Sequence, residues 1–118
     1  MTGEAAPGPY TENTRVTATA GTPLKVIVPS LSFAPNTIVV KAGDSVTLNI
    51  INCTAFQHNF YSPALSVNNK LDLPIAADTT VTFKAPDKPG KYMFWCTVTP
   101  PGALSHAERG ETGEVIVQ

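Results

Sequence analysis

Charge is thin along this chain: charged residues make up 14% of its 118 positions, against about 25% in an ordinary soluble domain. The formal net charge is only −1, and Lys and Arg are scattered rather than clustered. That excludes the basic footprint of a nucleic-acid binder. Long apolar runs are missing too, since none approaches the roughly 20 residues of a membrane-spanning helix. The N-terminus, Met1-Thr2-Gly3-Glu4, lacks the basic stretch and apolar segment of a secretory signal. Two cysteines are too few for a disulfide-dense scaffold. A chain of this length buries a continuous core without such staples. Internal repeats and a second domain are also absent.

What is present is a series of short β-branched runs separated by turn formers, with no 3.6-residue period. The predicted strands are Leu24 to Val28, Thr37 to Lys41, Ser45 to Ile51, Gln57 to Tyr61, Thr79 to Ala85, Tyr92 to Thr97 and Glu114 to Val117. Between them lie Ala34-Pro35-Asn36, Ala42-Gly43-Asp44, Pro86-Asp87-Lys88-Pro89-Gly90 and Gly110 to Gly113, each rich in residues that turns require. The fold class is therefore all-β, a sandwich or barrel of about seven to eight strands. Val46, Leu48 and Ile50 alternate with Ser45, Thr47 and Asn49, which places one face of that strand in the core. Tyr92-Met93-Phe94-Trp95-Cys96 is apolar on both faces, as a central strand should be. Residues 1–21, rich in Thr, Ala, Gly and Pro, read as a flexible tether or a loosely held first strand, and residues 22–118 as the single domain.

Histidine is as rare as cysteine, with two of each, and the placement of the four is informative. Cys96 follows the central strand. His106 returns ten residues later after Pro100-Pro101-Gly102, and His58 lies far upstream in Phe56-Gln57-His58-Asn59-Phe60. A thiolate at a strand end and an imidazole on a proline-stiffened loop can converge on one ion, because proline fixes φ. One thiolate with two imidazoles suits copper above other metals, and zinc in the same site would carry no redox role. The competing reading is a Cys53–Cys96 disulfide of the kind found in exported sandwiches. It leaves both imidazoles unexplained. Cys53 is otherwise expected to be a buried free thiol behaving as a small hydrophobe.

Ser32-Phe33-Ala34-Pro35-Asn36-Thr37-Ile38, Lys41-Ala42-Gly43-Asp44-Ser45-Val46, His58-Asn59-Phe60 and Ala85-Pro86-Asp87-Lys88-Pro89-Gly90-Lys91-Tyr92, leading to Cys96, together resemble a cupredoxin, a mononuclear blue-copper protein, over residues 24–118. The resemblance implies a Greek-key β-sandwich with one copper ion near one end, cycling between Cu(I) and Cu(II) and bound by His58, Cys96 and His106. Asn59 matches the family position whose side chain ties the two ligand loops together. The long Cys96-to-His106 loop is similar to that of the copper-donating domain of nitrite reductases.

The chain departs from the family pattern after His106. It reads Ala107-Glu108-Arg109-Gly110-Glu111-Thr112-Gly113, so Glu111 stands where the axial Met is expected. Met93 lies three residues before Cys96 on the same strand and points to the opposite face, and Met1 is in the tether. Three axial donors remain: Glu111 itself, a backbone carbonyl near Gln57, or an open position reached by water. Glu111 is the expected one, since a carboxylate is a hard donor able to bind Cu(II).

The function implied is mononuclear copper electron transfer, by a carrier rather than an enzyme. The alternative is a small copper enzyme acting on a molecule such as nitric oxide at an oxygen-ligated or open axial site. Copper delivery or storage would call for Met or His clusters that the sequence lacks. Redox partner proteins are expected to dock near His106 through the uncharged run Pro100 to Leu104, with the chain a monomer. The native protein is expected to be periplasmic or extracellular, or anchored to a membrane through an N-terminal segment outside this sequence.

Overall fold

The computed structural model describes residues 5–71 and 76–118. Among them nine strands form two sheets: β1 (Arg15–Thr17), β2 (Leu24–Val28), β3 (Thr37–Val40), β4 (Ser45–Asn52), β5 (His58–Ser62), β6 (Val67–Leu71), β7 (Ala77–Lys84), β8 (Gly90–Trp95) and β9 (Thr112–Val117). The larger sheet runs β1-β3-β9-β8-β5-β6 and the smaller β2-β4-β7. Parallel pairing of β1 with β3, β3 with β9 and β2 with β4 mixes with antiparallel pairs elsewhere, so the chain crosses repeatedly between layers. This is the all-β sandwich expected, and no helix among the described residues is long and apolar enough to cross a membrane.

The alternation read from β4 is the burial seen. Val46, Leu48, Ile50 and Asn52 are buried, while Ser45 is exposed and Thr47, Asn49 and Ile51 are half-buried. Those inward residues meet Ile38, Val40, Phe60, Phe94, Val115 and Val117 of the larger sheet in one core. At its centre Phe33, Phe60 and Phe94 pack as an aromatic trio with ring centroids 4.5–5.8 Å apart. Burying each ring contributes on the order of 2 kcal/mol. On the opposite face of β8, Met93 and Trp95 form a second cluster with Ala107, Ala6, Tyr10 and Tyr61. β8 is thus covered on both faces, and Met93 faces away from Cys96 as its strand position requires.

One sequence expectation needs correction. Cys53 is free but exposed, not buried. β4 ends at Asn52 and buries its even-numbered residues, so position 53 falls past the strand on the outward side. Cys96 is also free, which removes the disulfide reading. The stretch read as a flexible tether or a loosely held first strand contains a first strand, β1. Within it β1 pairs with β3, and Asn13 and Asn36 exchange backbone-to-side-chain hydrogen bonds at 3.0 and 3.2 Å. The Thr112 hydroxyl donates to the Pro9 carbonyl at 2.6 Å. Specific polar contacts to β3 and β9 thus fix a segment whose composition alone suggests looseness.

Candidate metal centre

All four residues singled out from the sequence meet at one end of the sandwich. His58 opens β5, Cys96 directly follows β8, and His106 and Glu111 come from the connection leading into β9. One donor atom from each lies within 4.8 Å of the others, and all four residues are buried. Glu111 Oε1 is 2.8 Å from His58 Nδ1 and 3.4 Å from His106 Nδ1. Cys96 Sγ lies 3.6 Å from His106 Nδ1. The donors thus converge from separate segments, as the stiff-loop reading anticipates.

Neighbouring hydrogen bonds hold each donor in place. The Asn59 side chain donates to Thr97 Oγ1 at 2.8 Å and accepts from the Thr97 amide at 2.7 Å, tying the His58 strand to the Cys96 loop. The Cys96 sulfur faces the backbone amides of Asn59 and Val98, while the Cys96 amide donates to the Glu111 carbonyl at 3.1 Å. The His106 amide donates to the Val98 carbonyl at 2.8 Å, and the Glu111 amide to the His106 carbonyl at 3.0 Å.

Two supports are not recognised in the sequence reading. Ser105 and Glu108 form a capping box, with the Ser105 amide on Glu108 Oε1 at 2.9 Å and the Glu108 amide on Ser105 Oγ at 3.1 Å. Such a box starts the single turn that carries His106, and its Ser-x-x-Glu signature is readable in the sequence. The other support is Thr54. Its hydroxyl donates to Asn52 Oδ1 at 2.7 Å, which leaves its oxygen to accept from His58 Nε2 at 2.9 Å. With the proton on Nε2 when a metal is bound, the Nδ1 lone pair of His58 would point into the cluster, while in the metal-free protein Nδ1 and Glu111 Oε1, 2.8 Å apart, share a proton. An outer partner that fixes the tautomer in this way is the usual companion of a metal-binding histidine.

The electrostatics are those of a cation site. Burial, then the Glu111 charge, pushes the Cys96 thiol up to about 12. Burial raises Glu111 above its ordinary value, partly offset by the hydrogen bond and charge of His58. Burial, then His58 and Arg109, lowers His106. Glu111 Oε2 is buried without a hydrogen-bond partner. An unsatisfied carboxylate oxygen beside two imidazoles and a thiol is costly by itself. A cation among them removes that cost and favours the deprotonated thiol and carboxylate. One thiolate sulfur, two ring nitrogens and a carboxylate oxygen fit a copper ion by donor type.

The surroundings differ from the sequence reading in one respect. Leu104 is 58% exposed and the run Pro100 to Leu104 is uncharged, but the cavity bordering His106 also includes the Arg109 side chain and Phe56, which is 70% exposed.

The family model for the cupredoxin-like domain matches residues 8–106. No curated protein sequence matches the chain. Among similar solved structures is the metal-binding domain of the Cu(I)-exporting P-type ATPase of Streptococcus pneumoniae, determined with Cu(I). Its TM-score is 0.67 at 12% identity, over 89% of this chain and 96% of that one. The dithionite-reduced auracyanin of Roseiflexus castenholzii gives 0.61 at 23% identity, over 85% and 99%. Auracyanin A, a blue copper protein of Chloroflexus aurantiacus, gives 0.58 at 24% identity, over 89% and 100%. At these identities the likeness shows the fold. The family match runs from the N-terminal segment to the second histidine of the cluster, and the chain therefore belongs to the cupredoxin family.

Proposed function

We propose that this cupredoxin is a mononuclear copper electron carrier, with His58, Cys96, His106 and Glu111 as ligands. The observation that carries the reading is the convergence of those four donors within 4.8 Å, all buried, at one end of a rigid sandwich. A bound copper ion would supply one-electron redox chemistry. The chain's own residues supply the rest. Thr54, the Asn59–Thr97 pair and the capping box hold the donors where they are. Low reorganisation on gain or loss of an electron follows from that rigidity. The blue copper protein auracyanin A, similar in fold, supports the same assignment.

His106 sits on the loop with the exposed uncharged run, so its edge is the path by which a partner would couple. Leu104 gives that run a small apolar contact, suited to the low-area encounters of redox partners. A small-molecule copper enzyme needs an exchangeable coordination position. Glu111, 0% exposed and hydrogen-bonded to His58, supports a closed site instead.

Adding one equivalent of Cu(II) tests the reading. The expected result is an intense visible thiolate-to-copper band with a single-copper paramagnetic spectrum, lost in Cys96→Ser and indifferent to azide. Copper bound without that band, or a band that survives Cys96→Ser, overturns the assignment. A spectrum shifted by azide favours the enzyme.

A further inference from the structure

Beside the candidate metal centre lies a cavity of about 550 Å³, within the range of roughly 300–1,000 Å³ that holds small organic ligands. His58 and His106 both border it, so it occupies the space between the two imidazoles and solvent. Its other walls are mostly apolar, with Leu31, Phe56 and Pro100 among them, and Arg109 contributes the one formally charged side chain. Among the described residues the Arg109 guanidinium makes no ion pair or side-chain hydrogen bond. Its planar fork is paired with no side chain among the described residues, and its charge acts on His106.

The apolar wall is held open. Phe56 is 70% exposed, unusual for a ring this large. Its loop cannot easily fold inward, because Asn52 Nδ2 donates to the Phe56 carbonyl at 2.9 Å and the Phe56 amide donates to Thr54 Oγ1 at 3.2 Å. Asn52 is itself fully buried. An exposed aromatic ring on a loop whose backbone is fixed in this way, lining the same cavity as a guanidinium without an ion-pair partner among the described residues, selects an occupant that is apolar over most of its surface and anionic at one end. A carboxylate matches the guanidinium fork with two parallel hydrogen bonds. A flat ring matches the face of Phe56.

We propose that this cavity is a binding site for a small aromatic carboxylate, its carboxylate on Arg109 and its ring against Phe56, covering the edges of His58 and His106. The site goes beyond the copper reading and needs no metal. Its consequence for an electron carrier is direct: an occupant stands where a redox partner would approach His106, so ligand and partner exclude each other.

Benzoate titrated into the full chain, metal-free and copper-loaded, tests the proposal by calorimetry and by amide chemical shifts of the metal-free form. We expect saturable binding, with shifts confined to residues 29–31, 53–58 and 106–109. Affinity should drop about tenfold or more in Arg109→Gln, the loss of one charge-assisted contact. Phe56→Ser should also weaken it, and benzyl alcohol should bind far less well than benzoate. Both variants should keep the wild-type far-ultraviolet spectrum and copper stoichiometry, which shows that they fold. No saturation in the millimolar range, shifts mapping elsewhere, an unchanged affinity in Arg109→Gln, or acetate binding as tightly as benzoate overturns it. A missing thiolate-to-copper band would sink the carrier reading alone, since benzoate binding by the metal-free protein is measured independently.

Discussion

Glu111 brings a hard anionic oxygen to a position where the family pattern has a soft thioether. Anionic oxygen stabilises Cu(II) relative to Cu(I), so the copper-loaded protein should have a lower reduction potential than its Glu111→Met variant. Potentiometry on the two forms checks this, and a potential that stays or falls on substitution removes Glu111 from the ligand set. The same residue governs the metal-free protein through its proton. Burial raises the Glu111 carboxyl above its ordinary value of 4.5, so the folded chain binds that proton more tightly than the unfolded chain does. The stability this contributes is complete below 4.5 and is lost as pH rises through the raised value. Glu111→Gln keeps the shape without the charge. The metal-free variant should match the wild type in acid and exceed it by about 1–3 kcal/mol at neutral pH. Urea denaturation of both at the two pH values decides it, and parallel pH curves would show that the buried charge costs nothing.

Among the elements, the strands that carry the core and the ligands are legible in the sequence, because their burial follows from side-chain type alone. β4 with its strict alternation and β8 with its two apolar faces are the clearest. β6 is not legible and β1 only as a loosely held first strand, for a common reason. β6 reads Val67-Asn68-Asn69-Lys70-Leu71 and buries only its two end residues, while β1 has three residues and pairs only with β3. Both lie at the edges of the larger sheet, where partner strands and not composition decide pairing. Gly113 reads as the end of a turn but lies in β9 paired with Phe94, and its lack of a side chain is required there because a Cβ would lie 2.1 Å from the Phe94 ring. At the metal centre the residues that chemistry restricts were readable, Cys96, His58 and His106 from their rarity and Glu111 from a break in the family pattern. Asn59 was readable only through that resemblance. Thr54 and Asn52 were not, because short polar residues are the ordinary content of turns and only the folded loop shows what they hold.

The molecule as a whole closes on its metal centre from both ends of the chain. His106 and Glu111 lie on the connection into the last strand, and the N-terminal segment packs against that connection from outside. Gly8 sits so tightly on the Ala107 carbonyl that a Cβ would come within 1.9 Å of its oxygen. The Thr112 hydroxyl reaches the Pro9 carbonyl, and Ala6 and Tyr10 pack on Met93, Trp95 and Ala107. Gly8 is not in the left-handed region, so a substitution there tests the close approach and not backbone strain. In Gly8→Ala the segment must lift or the His106 turn must yield, an overpacking that costs about 1–3 kcal/mol. For a domain of this size that lowers the melting temperature by several degrees. If the segment braces the ligands, the copper-loaded variant should also show a shifted thiolate-to-copper band and faster copper loss to a chelator, although residue 8 is not one of the donors. A lower melting temperature with unchanged spectrum and copper release would mean that the segment stabilises the sandwich without bracing the site. An unchanged melting temperature would mean that the close approach at Ala107 relaxes freely.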